Sequence, residues 1–171
     1  MIIKDCEVLD YPLIVKPVSL GSSIGIKIAE NREDLINAIL YASNYDDEII
    51  VEKKLTNFRE FNQALLEREQ DYLFSEIEEV KSENNYLTFS DKYLPISSSR
   101  TIPANIEKPL QDEINRISTK ISSSFRIKGV SRVDYLYDLE AKDLFVNEIN
   151  TIPGSLAFYL FEDKISFTEL I

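Results

Sequence analysis

Two short stretches carry the residues best suited to chemistry, Arg132-Val133-Asp134 and Glu148-Ile149-Asn150. Alternate side chains of a strand share a face, so Arg132 goes with Asp134 and Glu148 with Asn150. If the two strands pair as a hairpin around Asp138–Asp143, a register that sets Asp134 opposite Glu148 sets Arg132 opposite Asn150. All four then line one face, and a slip of one residue would divide them. Two carboxylates and an amide oxygen make a hard-oxygen site suited to Mg2+. Without a metal the carboxylates would repel, and one would take up a proton. Arg132 beside them could hold a phosphate or a developing oxyanion. The same residues also read as a solvated sheet face with an Arg–Asp pair.

A second stretch runs Lys16-Pro17-Val18-Ser19-Leu20-Gly21-Ser22-Ser23-Ile24-Gly25. It sets a lysine at a strand end and glycines on both sides of two hydroxyls. Glycines let backbone N–H groups turn toward an anion. No Gly-Lys-Ser/Thr ends the loop, so it is not a Walker A sequence. It reads equally as a plain hairpin turn. Glu52-Lys53-Lys54-Leu55 follows a buried strand, and Glu60 comes eight residues after Glu52. Groups there could read an adenine edge and ribose hydroxyls, or form an ordinary charged loop. Ser90-Asp91-Lys92-Tyr93 opens a polar stretch to Asn105 with two prolines, a loop long enough to suggest function or a mobile surface loop.

Composition narrows the chemistry. The 171 residues include 30 acidic and 19 basic side chains, net −11, with no His, no Trp, one Cys and one Met. Lack of His removes Ser-His-Asp triads, Cys-His dyads and His-ligated zinc. Cys6 alone leaves no internal disulfide or CxxC pair, which points to a reducing compartment. A charge of −11 argues against non-specific nucleic-acid binding. No apolar run approaches the ~18 residues of a membrane span. Lys4, Asp5 and Glu7 interrupt the start, where a signal peptide needs an unbroken apolar core. The expectation is a cytoplasmic protein binding neither nucleic acid nor membrane.

The elements that must position these residues follow from periodicity. Leu13–Val15 and Ile49–Val51 read as buried strands, and Gly25–Ile28 as a half-buried one. Asn31 caps a helix with Leu35, Ile36, Ile39 and Leu40 on its apolar face. Phe58 to Lys81 reads as two antiparallel strands turning near Glu69–Asp71. Pro109 opens a helix with an apolar stripe at Leu110, Ile114, Ile117, Ile121 and Phe125. Gly129–Tyr137 and Leu144–Ile149 are strands, with Val133, Val146 and Ile149 expected in the core. Ser166 and Glu169 have capping-box spacing for a last short helix. Neighbouring strand pairs indicate α+β with antiparallel sheets, not a doubly wound parallel sheet.

In this order, the segments from about Pro12 to Gly154 resemble the D-alanine–D-alanine ligase group of the ATP-grasp ligases. K-P-x-x-x-G-S-S-x-G stands at Lys16–Gly25, R-x-D at Arg132–Asp134 and N-E-x-N-T-x-P-G at Asn147–Gly154. The resemblance implies an incomplete ATP-grasp fold, two α+β subdomains with antiparallel sheets clasping the nucleotide. They would span residues 1–55 and 56–171, the second truncated in its last helix. It implies that Gly21, Ser22, Ser23 and Gly25 cover the ATP phosphates with Lys16. Glu52, Lys53 and Leu55 would meet adenine, and Glu60 the ribose. Lys92, with Tyr93 beside it, would reach the γ-phosphate from a closing loop. Asp134, Glu148 and Asn150 would hold two Mg2+ ions, or Mn2+ in their place. Arg132 would stabilise the acyl-phosphate and the tetrahedral intermediate.

The implied activity is ATP-dependent ligation of small amino acids for cell-wall peptidoglycan, with a homodimer for the full-length enzyme. Ser155-Leu156-Ala157-Phe158-Tyr159-Leu160 departs from the family's pattern for the second amino acid. A ligase for other amino or hydroxy acids is thus one alternative, and a non-catalytic ATP-grasp module another. The family's N-terminal domain is not in these residues, and they are expected not to ligate by themselves.

Overall fold

The computed structural model describes residues 2–21, 23–69, 71–82 and 98–171. They divide into two compact units, one over residues 2–56, the other over 57–81 and 99–171.

In the first unit, α1 (Ile2–Cys6) and a 3-10 turn (Glu7–Leu9) lead into β1 (Leu13–Pro17). After the Gly/Ser loop come β2 (Lys27–Ala29), α2 (Arg32–Ala42) and β3 (Ile49–Lys53). The sheet order is β2-β1-β3, and β1 is antiparallel to both neighbours. Asn31 caps α2, its side chain accepting from the N–H groups of Glu33 and Asp34 at 3.0 Å each. The face that α2 buries keeps Leu35 and Ile39 of the expected one but not Ile36 and Leu40. Leu35, Ala38 and Ala42 go into the core with Leu13, Val15 and Ala29, whereas Ile36 and Leu40 are exposed. Two small alanines let the helix lie close on the short sheet, which carries the bulk through Leu13 and Val15.

In the second unit, β4 (Phe58–Glu67) and β5 (Tyr72–Ser82) form the expected antiparallel pair. Next come β6 (Ser98–Thr101), α3 (Lys108–Phe125), β7 (Val130–Asp138) and β8 (Leu144–Asn150). A kinked 3-10 segment (Gly154–Leu160) and α4 (Phe167–Leu170) follow, the latter with the Ser166/Glu169 capping box. The five-stranded sheet has the order β6-β5-β4-β7-β8. Ser98–Thr101 was expected in a loop; edge pairing supplies the order that its polar sequence does not announce.

The two faces of this sheet differ because side chains alternate along each strand. Phe61, Leu65, Ile77, Val133 and Tyr135 pack on one face under Ile114 and Ile121 of α3. Gln63 and Ser118 are buried there too, tied by a 2.6 Å hydrogen bond from Ser118 Oγ to Gln63 Oε1. Leu110 and Ile117 pack against this core as expected, but Phe125, the last helical residue, is exposed. The chain leaves the helix there through a left-handed Arg126, so the stripe ends one turn early. Val146 is likewise exposed, although it lies opposite buried Tyr135, because β8 is the edge strand of the sheet.

On the opposite face, Ala64 and Leu66 pack with Ala157, Leu160, Phe161 and Leu170. The rest of that face carries the candidate site. The α+β class, with antiparallel sheets and helices, is as expected.

Candidate functional site

The β7–β8 hairpin has the register on which the site depends. Arg132 lies opposite Asn150, and Asp134 opposite Glu148. Across β7, Asp134 faces Asn62 of β4, and Asn62 faces Glu78 of β5. A polar row Glu78–Asn62–Asp134–Glu148 therefore crosses four strands on one face. Glu60, opposite Leu136, shares this face one row away.

Arg132 grips Asp134 with both ends of its guanidinium, Nε to Oδ1 at 2.6 Å and Nη2 to Oδ2 at 2.7 Å. Asn150 Nδ2 donates to Asp134 Oδ2 at 2.9 Å and to Glu148 Oε1 at 3.3 Å. Asp134 is almost wholly buried, and burial pushes its carboxyl up to about 6. The Arg132 guanidinium pulls in the other direction and loses; nearby Glu148 adds to the rise. For Arg132, burial opposes the charge, but the Asp134 carboxylate more than offsets it and holds the guanidinium protonated. The bidentate ion pair therefore leaves Asp134 short of stabilisation.

These donors fit a hard divalent cation. Asp134 and Glu148 bring two carboxylates against the single neighbouring charge of Arg132, and Asn150, whose Nδ2 faces both carboxylates, would add its amide oxygen with the amide turned over. Among the described residues no group of three or more Asp, Glu, Cys or His gathers into a metal cluster; the candidate set is two carboxylates and one amide.

In the first unit, Lys16 Nζ meets Glu52 Oε2 at 2.5 Å across β1 and β3. Two residues expected at a nucleotide thus lie together. Lys53 ends β3 exposed, and Leu55 follows it half-buried. Gly21, Ser23 and Gly25 lie in the β1–β2 loop, where Ile24 N–H donates to Gly21 C=O at 3.2 Å. Ser22, Lys92 and Tyr93 lie outside the described residues. Gly25 has φ +79°, and a Cβ there would come within 2.5 Å of Pro17 Cγ. Gly25→Ala is therefore expected to destabilise the protein by about 2–3 kcal/mol, through strain and overlap together. Denaturant unfolding checks this, and Gly21→Ala, with nothing within 4 Å of its Cβ, is the mild control.

The sequence reading missed Asn62, Glu78, Arg100 and Tyr159. Glu78 is fully buried; its Oε2 accepts from Asn62 Nδ2 at 3.1 Å and from Tyr159 Oη at 3.0 Å. Arg100 Nε lies 3.5 Å from Glu78 Oε1. The alternation of Phe74–Val80 identified a strand, but only the β4–β5 register shows that Glu78 joins the Asp134 row.

The family model described as "D-ala D-ala ligase C-terminus" matches residues 1–168. A D-alanine–D-alanine ligase of Thermosipho africanus (strain TCF52B) is 37% identical over 169 residues, covering 96% of this chain and 45% of the relative. One of Thermosipho melanesiensis is 36% identical over 173 residues, covering 98% and 46%. The crystal structure of VanG D-Ala:D-Ser ligase from Enterococcus faecalis matches with a TM-score of 0.78 at 30% identity, covering 98% of this chain and 50% of that one. The chain thus spans about half the length of the proteins it matches. It belongs to the family of D-alanine–D-alanine ligase C-terminal regions.

Proposed function

We propose that this chain is the ATP- and Mg2+-binding portion of an ATP-dependent carboxylate–amine ligase joining two small D-amino acids. The observation that carries this reading is the register that gathers Arg132, Asp134, Glu148 and Asn150 on one sheet face. In the reaction, a carboxylate oxygen of one amino acid attacks the γ-phosphorus of ATP, and ADP leaves. The amine of the second attacks the acyl carbon, loses its proton, and phosphate departs with the acyl oxygen.

Asp134, Glu148 and Asn150 would hold the metal, which when bound would neutralise phosphate charge. Arg132 presents a fixed positive charge beside them, suited to an oxyanion on phosphorus or carbon. Lys16, held by Glu52, would meet phosphate, and the Gly21–Gly25 loop would offer backbone N–H groups to it. Glu52, Lys53 and Leu55 would read adenine, and Glu60 the ribose. Ser22, Lys92 and Tyr93 are proposed for the phosphates on motif position. None of these steps needs a histidine, because positioning and charge do most of the catalysis. The relatives named above suggest D-alanine as donor, and D-alanine or D-serine as acceptor.

Thermal unfolding with nucleotide tests the reading. Mg-ATP at millimolar concentration should raise Tm, as binding to the folded state must. ATP with EDTA should raise it far less. A folded sample whose Tm is indifferent to Mg-ATP would sink the proposal.

A further inference from the structure

The side chains above explain the Asp134 end of the polar row but not the Glu78 end. Glu78 is fully buried, and its Oε1 accepts no hydrogen bond among the described residues. Asn62 Oδ1 beside it is also buried, with no hydrogen-bond partner among the described residues. Isolated buried carboxylates are costly and persist where a cation answers them. The cation here is Arg100, with Nε 3.5 Å from that oxygen and its guanidinium 5.3 Å from the centre of the Tyr159 ring.

This arrangement fixes Arg100 without consuming it. Its side chain is 49% exposed, and among the described residues its two Nη nitrogens donate no hydrogen bond. A guanidinium held through Nε and one ring face keeps its fork for a planar anion. Tyr159 ties this end to the candidate metal site. Burial pushes its hydroxyl up to about 12, Glu78 adds to the rise, and Arg132 and Arg100 both oppose it. Two arginines thus flank one tyrosine on the face that carries Asp134. Ser155, Leu156 and Ala157, which deliver Tyr159, all have left-handed φ near +50°. That conformation is costly for non-glycine residues and concentrates at functional sites.

We propose that Arg100, oriented by Glu78 and Tyr159, is a carboxylate receptor that takes the α-carboxylate of an amino-acid substrate beside the candidate metal row. The inference rests on the ligase reading for its substrate class. A bidentate Arg–carboxylate contact orients a small amino acid by the one group all of them share. Arg100 is then a binding residue, while Glu78 and Tyr159 are positioning residues.

A ligand–protein double-deletion cycle tests this. D-alanine and D-alaninamide, which lacks the carboxylate, are titrated by NMR into wild type, Arg100→Met and Arg100→Lys, with and without Mg2+ and a non-hydrolysable ATP analogue. Arg100→Met should weaken D-alanine binding about tenfold or more and leave D-alaninamide unchanged. Arg100→Lys keeps a charge for Glu78, and so the fold, but loses the fork; it should fall between. Equal effects on both ligands, no effect on either, or a wild type that does not prefer D-alanine would overturn the proposal. Failure of the nucleotide analogue to bind would count against the ligase reading instead, and the cycle without nucleotide would still score Arg100.

Discussion

Glu148→Gln should weaken Mg2+-dependent ATP binding by about 100-fold or more, while ATP binding in EDTA changes little. Glu148 is half-buried and Gln keeps its shape and its accepting oxygen, so the fold should survive. What is lost is one of two negative charges facing each other across β7 and β8. Removing it leaves Arg132 to neutralise Asp134 alone, and the reason for a dication disappears. Calorimetric titration of ATP in Mg2+ and in EDTA separates the two affinities. A variant that keeps the wild-type ratio between them would show that these carboxylates do not hold the metal.

Arg132→Met should be among the most destabilising single changes, by about 3–5 kcal/mol at neutral pH, because it strips a buried carboxylate of its cation. The pH dependence identifies the cause. In the folded protein Asp134 titrates near 6, against 3.8 for an ordinary aspartate. The folded state therefore holds its proton more tightly than the unfolded chain. That contribution is complete below about pH 4 and is lost as pH rises through 6, by about 3 kcal/mol. Without Arg132 the carboxyl should rise further, so the variant's deficit should be largest at pH 7 and shrink below about pH 5. Urea unfolding at both pH values measures it. A deficit independent of pH would assign the loss to packing rather than charge.

The same carboxyl predicts how metal binding responds to acid. A cation must displace the Asp134 proton, so Mg2+ affinity should hold above pH 6 and fall about tenfold per unit below it. Mg-ATP titrations between pH 5 and 8 give the curve; a flat profile would argue that Asp134 is not a ligand.

Much of this site was legible because its parts obey local rules. Arg132, Asp134, Glu148 and Asn150 sit two apart on strands whose turn, Asp138–Asp143, is short and polar, so few registers keep both pairs on one face. The Lys16–Gly25 motif likewise marked its loop, though the need for Gly25 emerges only from the Pro17 ring packed against it. What stayed hidden depends on pairing between segments far apart in the chain. Glu78 gains meaning from facing Asn62, and Tyr159 from reaching Glu78, 81 residues away. The part of the α2 face that was misjudged has the same origin. Ile36 and Leu40 look like core by composition, but the sheet accepts the smaller Ala38 and Ala42. The left-handed turn at Ser155–Ala157 has no glycine to announce it, since tertiary packing of Ala157 and Leu160 imposes it.

Mn2+ in place of Mg2+, followed by electron paramagnetic resonance with a non-hydrolysable ATP analogue, tests the central claim most directly. Asp134, Glu148 and Asn150 should draw Mn2+ out of solution in stoichiometric amounts, and the double variant Asp134→Asn/Glu148→Gln should leave only the binding that the nucleotide itself provides. If the double variant, still folded by circular dichroism, retains as much Mn2+ as wild type, the polar face of this sheet is not a metal site.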